Sequence, residues 1–148
     1  MAEFPSEKWF NEVRKVYNAD DAYRGAGGGQ CNCRSAIKVG RRIFVLVFEG
    51  FEVIEARELV AAERDAELES VDFYLDMPGR DWQEMVRDIA ENGSASLHYT
   101  LNTLDLNRPD GLAQSVHGDQ YREDLFFRYN QTFQFFFDAS ARVKTTYA

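Results

Sequence analysis

Between Phe126 and Phe137 the chain places seven aromatic side chains in twelve residues: Phe126, Phe127, Tyr129, Phe133, Phe135, Phe136 and Phe137. That is a third of all its aromatic residues. Each ring can bury roughly 150–250 Å². A fold that left the segment in solvent would carry an apolar patch far larger than a monomer ordinarily exposes. The segment must therefore pack into a core, close a cavity or meet a partner.

The rest of the composition narrows the partner. Lys and Arg number 17 against 25 Asp and Glu, a net charge of −8. Nucleic-acid binding needs a basic field, and so does docking on anionic lipid; the balance argues against both and leaves an uncharged ligand open. No apolar run approaches the ~20 residues of a bilayer span, so no integral membrane segment is expected. The opening residues Met1 to Glu7 lack the basic and then apolar stretches of a signal peptide. Cys31 and Cys33 are too close in sequence to make a useful staple, so a reducing, cytoplasmic location is the expectation. At 148 residues the chain predicts one domain over 1–148 with one core.

Apolar spacing predicts the elements. Ser6 caps a helix with Trp9, Phe10, Val13, Val16 and Tyr17 on one stripe. Gly25 to Gly29 reads as a flexible loop. Cys31 to Val39, Arg42 to Glu49 and Phe51 to Leu59 read as strands, the last two as a hairpin about Gly50. The segment 60–69 reads as a loop with one helical turn at most. Val71, Phe73, Leu75 and Met77 alternate with Asp72, Tyr74 and Asp76, the mark of a half-buried strand over Glu69 to Met77. A helix follows from about Asp81 to Glu91, with Trp82, Met85, Val86 and Ile89 on one face and Asn92-Gly93 as its end. Ser94 to Gly118 shows no sustained period. Asp119 caps a final helix from Gln120 to about Ala139, and Arg142 to Tyr147 reads as a closing strand. On that last helix Phe126, Tyr129, Phe133, Phe136 and Phe137 share an arc, whereas Phe127 and Phe135 fall off it. A strand reading also exists, with Tyr129, Phe133, Phe135 and Phe137 alternating with Asn130, Thr132, Gln134 and Asp138, but the run from Asp119 is long for a strand and favours the helix.

The order of elements and several short motifs resemble the sterol carrier protein 2-like domains, of the small stand-alone prokaryotic kind. The residues that carry the resemblance begin with Pro5-Ser6-Glu7-Lys8-Trp9 leading into Asn18 and Asp20-Asp21-Ala22-Tyr23. They continue with Glu49-Gly50-Phe51-Glu52, Glu55-Ala56-Arg57-Glu58-Leu59, and Val71-Asp72-Phe73-Tyr74-Leu75 before Trp82. They end with Tyr129 to Ala139 and Val143-Lys144-Thr145-Thr146-Tyr147. The resemblance implies an α+β fold: a mainly antiparallel sheet of about five strands with helices packed on one face and an apolar tunnel between. It implies binding of a lipid-like, sterol-like or aromatic molecule and carries no catalytic signature. Ser94 to Gly118 departs from the family pattern, which leaves the ligand's identity open.

Chemistry is otherwise sparse. Cys31 and Cys33 share one strand face, but only His98 and His117 could complete a zinc set, with no ligand spacing; small core residues are the favoured reading, and no metal or cofactor is expected. Asp119 beside His117 is favoured as a helix cap over an imidazole partner. The Asp72, Tyr74 and Asp76 face is favoured as solvated. The glycine run lacks the Lys-Ser/Thr of a phosphate loop.

The sequence thus predicts a small hydrophobic ligand held in an internal apolar cavity by a carrier or sequestering protein. The expected walls are Phe44, Leu46, Phe48, Phe73, Leu75, Trp82, Met85, Phe126, Tyr129, Phe133 and Phe137, with Tyr74, His117 and Arg128 as polar anchors. Two alternatives stay open. One is a lyase, hydratase or isomerase in the same cavity, using His98, His117, Asp76 or Glu49. The other is a homo-oligomeric module in which Phe127 and Phe135 meet a second copy.

Overall fold

Where the apolar spacing is two the chain is extended, and where it is three or four the chain is helical. In the computed structural model, which describes residues 1–148, β1 (Ala2–Phe4) leads into α1 (Glu7–Ala19). The Ser6 side chain accepts the Trp9 N–H at 3.0 Å and caps that helix. Trp9, Phe10, Val13 and Tyr17 are its buried stripe. An antiparallel meander follows: β2 (Cys33–Val39), β3 (Arg42–Glu49) and β4 (Glu52–Glu58). Gly40 and Gly50 turn it with φ of 62° and 64°, a conformation in which a Cβ is strained. β5 (Phe73–Met77) returns to pair in parallel with β2, and β6 (Ala113–Gln114) pairs antiparallel with β5. The sheet order is β4-β3-β2-β5-β6. This is a largely antiparallel five-stranded sheet in an α+β fold.

Three helices lie on one face: α1, α3 (Gly79–Asn92) and α5 (Gln120–Asp138). They enclose a core of 30 buried residues with Phe44, Leu46 and Phe48 of β3 and Phe73 and Leu75 of β5. Alternate residues of β3, Ile43 and Val45, point the other way into a cluster of five with Ala36, Leu59 and Val71. That second face is shielded by α2 (Arg64–Ser70), whose Leu68 packs against it. Cover on both faces explains why β3 is apolar almost throughout.

Four segments differ from expectation. Residues 60–69, read as a loop, form a short 3-10 turn at Ala61–Glu63 and then α2. Neither buries a residue fully, so no apolar period announces them. Charge holds them instead: Arg57 pairs with Glu63 at 3.0 Å and Glu67 at 3.3 Å, and Arg34 pairs with Glu67 at 2.8 Å. Because α2 runs to Ser70, the strand read over Glu69 to Met77 begins only at Phe73. The unreadable segment 94–118 holds a 3-10 turn at Leu97–Tyr99, α4 (Leu101–Leu106) and β6, each too short to show a period. The closing strand is only β7 (Thr145–Tyr147), and it pairs in parallel with β1 rather than with the main sheet. No helix is long and apolar enough to cross a membrane.

Candidate functional site

Ten of the eleven residues expected to wall a ligand space converge in one layer between the sheet and α3 and α5. Phe44, Leu46, Phe48, Phe73, Leu75, Trp82, Met85, Phe126, Phe133 and Phe137 all belong to the main core at 2% exposure or less. Strand alternation delivers the first five to one face. Helical spacing delivers Trp82 with Met85, and Phe126 with Phe133 and Phe137. The eleventh, Tyr129, is half-buried at the edge of the same core.

The layer is filled. Phe48 and Phe133 lie 4.7 Å apart between ring centroids, Phe73 and Phe133 5.5 Å, Phe73 and Phe126 5.9 Å, and Trp82 and Phe137 5.4 Å. Where the sequence predicts the walls of an internal apolar cavity, these ten side chains pack against one another and border none of the five surface depressions. The physical reason is that tilted and edge-on rings occupy one another's space.

The polar anchors separate. Tyr74 packs with the second cluster on the opposite sheet face, because it alternates with Phe73 and Leu75. His117 is exposed in the loop before α5, with Nε2 3.1 Å from the Glu69 carbonyl oxygen. Both lie outside the layer. Arg128 is exposed on α5 beside Tyr129, its guanidinium 5.6 Å from that ring's centroid.

Arg128 and Tyr129 instead help to line a polar depression of about 440 Å³, with Thr132 of α5 on the same side. Facing them are Gly27, Gly28, Gly29, Gln30 and Asn32. The glycine run, read as merely flexible, is docked. A Cβ on Gly27 would stand 2.7 Å from the Thr132 backbone nitrogen and 2.9 Å from its Oγ1, so only glycine lets the loop approach the helix this closely. The glycines were visible in sequence; nothing in sequence names Thr132 as their neighbour. A second depression of about 440 Å³ lies beside Gly40, Asp76, Arg108 and Asp110. Its charges are largely engaged: Asp76 with Lys38 at 3.7 Å and Arg108 with Asp81 at 3.4 Å.

Reactive groups do not gather. Cys31 and Cys33 are buried free thiols. Burial, then the charge of Asp72, pushes Cys31 up to about 12. Burial likewise raises Cys33, so neither is a thiolate at neutral pH. His98, His117 and Glu49 are exposed, and Asp76 is in its ion pair. No three His, Cys, Asp or Glu side chains are placed to hold a metal ion. Of the pair proposed for self-association, Phe127 is 54% exposed, but Phe135 packs against the main core. Phe127 is the more exposed of the two, and Phe135 is half-buried.

No family model matches the chain and no curated protein matches its sequence. Solved structures do match in shape. A crystal structure of sterol carrier protein 2 superposes with a TM-score of 0.60 over 94% of this chain and 98% of that one, at 17% identity. A solution structure from Thermus thermophilus, of a conserved hypothetical protein described as a possible sterol carrier protein, superposes with a TM-score of 0.57. That match covers 95% of this chain and 90% of the other, at 16% identity. Both likenesses run nearly end to end, and the fold is sterol carrier protein 2-like.

Proposed function

We propose that this sterol carrier protein 2-like fold binds a small apolar molecule between its sheet and α5, as a carrier or sequestering protein. One observation carries the reading: ten side chains from β3, β5, α3 and α5 meet in a single apolar layer. The only N–H among those side chains, on Trp82, is already bonded to the Lys38 carbonyl at 2.8 Å. Such a layer attracts a ligand by area, at roughly 25 cal/mol per Å² removed from water, and offers no group for proton transfer. That favours sequestration over turnover. The names of the two structural neighbours point the same way.

Because the layer is filled, a ligand enters by displacing part of it, and the first half of α5 is the part least tied down. From Gln120 to Arg128 only Phe126 is buried. One hydrogen bond joins this half to the strand side, from Arg122 Nη1 to the Val71 carbonyl at 3.1 Å. The second half buries Phe133, Phe136 and Phe137. It is further anchored by Gln134, which accepts the Leu101 N–H at 2.7 Å, and by Asp138, which accepts the Ala95 N–H at 3.0 Å. Local opening of the weaker half costs less than global unfolding. The ligand's apolar surface then replaces the ring contacts that are lost.

The test is a fluorescence titration of the protein with pyrenedodecanoic acid below its aggregation threshold. Saturable one-to-one binding, reversed by unlabelled fatty acid, is expected. Arg122→Ala should speed association. A signal that rises linearly without saturating would end the carrier reading.

A further inference from the structure

We propose that the depression between the glycine loop and α5 is an oxyanion site, seating the carboxylate or phosphate head of an amphipathic ligand whose tail enters the aromatic layer. The tail half of this inference rests on the carrier reading above; the head site stands on its own observations.

The first observation is charge. On a protein of net charge −8, this is the only one of five depressions lined by a positive charge and no carboxylate. That charge is Arg128, and the contact its guanidinium makes is with the Tyr129 ring. Arginine can present two parallel N–H donors to a carboxylate or phosphate. Here they are not spent on an internal acid.

The second is free backbone. The N–H groups of Gly29 and Gln30 donate to no backbone carbonyl, whereas the Gly28 N–H is used by Gly25 at 3.3 Å. No atom lies within 4 Å of where a Cβ would sit on Gly28 or Gly29, so a ligand oxygen can reach this stretch of main chain. Successive main-chain N–H groups left free in this way are the raw material of anion-binding concavities. Asn32 adds a third donor. Its Oδ1 accepts the Gly50 N–H at 3.0 Å, which leaves the amide's own N–H groups free to donate.

The third is position. Asn32 sits between Cys31 and Cys33, both buried in the main core, and Cys33 pairs in register with Phe48. Thr132 precedes Phe133, whose ring is 4.7 Å from that of Phe48. The polar rim therefore abuts the apolar layer through adjacent residues of the same two segments. An amphipathic ligand with its head on these donors reaches the rings only when the layer opens, as the carrier reading requires.

Two pyrene probes with the same tail, one ending in a carboxylate and one in an alcohol, separate the head site from the layer. Wild type should prefer the acid by roughly tenfold, as expected for a charge-assisted hydrogen bond. Arg128→Gln should abolish that preference and leave alcohol affinity unchanged; Arg128→Lys should keep part of it. A preference that survives Arg128→Gln, or its absence in wild type, overturns the head site while alcohol binding leaves the carrier reading intact. If neither probe binds, the carrier reading falls, and titration with inorganic phosphate decides the site. Amide NMR shifts at Gly29 and Gln30 that disappear in Arg128→Gln establish it as a site for a free anion. No shifts in wild type overturn it.

Discussion

Gly27 and Asp138 show what single residues contribute and how differently they can be read. Any side chain on Gly27 meets the backbone of α5 at Thr132, not a flexible tip that could yield. Gly27→Ala should therefore lower stability by about 1–3 kcal/mol through overpacking, and it should weaken the loop's hold on α5. Urea unfolding checks this, and an unchanged midpoint would contradict the docked loop. Asp138 is buried near the end of α5 and accepts hydrogen bonds from the Ala95 N–H and from Gln134 Nε2, both at 3.0 Å. Burial nevertheless holds its carboxyl above the usual 3.8. A pKa raised by folding means the ionised form is disfavoured in the fold, so this group costs stability as pH rises above 3.8. Asn at this position keeps an acceptor oxygen and removes the charge. Asp138→Asn should match or exceed wild type at neutral pH and lose any advantage below 3.8. Denaturation curves at both pH values decide it, and a large loss at neutral pH would show that the charge itself is needed. Glycine in a loop and aspartate near a helix end were legible as residue types. Their costs were not, because both depend on atoms brought from elsewhere in the chain.

Among the elements, α5 and α2 are opposite cases. The start of α5 was legible: Asp119 accepts the Tyr121 N–H at 3.0 Å and caps a helix that runs from Gln120 to Asp138. Its apolar spacing named Phe126, Phe133, Phe136 and Phe137, which are buried, but it separated Tyr129 from Phe135, and both are half-buried against the core. Phe133→Ala should cost about 3–5 kcal/mol by the loss of a core ring. Phe127→Ala should cost less than about 0.5 kcal/mol, as at an ordinary surface site. Thermal unfolding of the two variants tests whether the helix is seated this way round; equal losses would mean it is not. By contrast, α2 was illegible because ion pairs and the single half-buried Leu68, not an apolar stripe, fix it. Hydrogen bonding to Arg34 holds Glu67 below the usual carboxylate range, with help from Arg57. The sign is opposite to that of Asp138. The stabilisation from Glu67 is present above its ordinary 4.5 and is lost as pH falls through its lowered value. Glu67→Gln should cost about 1 kcal/mol or less at neutral pH, since these groups are partly exposed. The difference should shrink in high salt and vanish in acid.

For the whole molecule, the uneven anchoring of α5 predicts uneven dynamics. Amides from Gln120 to Arg128 should exchange with deuterium faster than those from Thr132 to Asp138 and those of β2 and β3, and a bound acyl ligand should slow them. Uniform protection along the helix would remove the proposed route into the layer. The sequence by itself determined the element types with strong apolar periods, the caps of α1 and α5, and most of the rings that are buried. Local spacing and burial are sufficient for these. Only the tertiary structure decided that those rings fill one another's space, that Tyr74 and His117 stand apart from them, and that a glycine loop meets Arg128 and Thr132 across a polar depression. Contacts between segments about a hundred residues apart depend on how the layers stack, and no spacing within either segment records that.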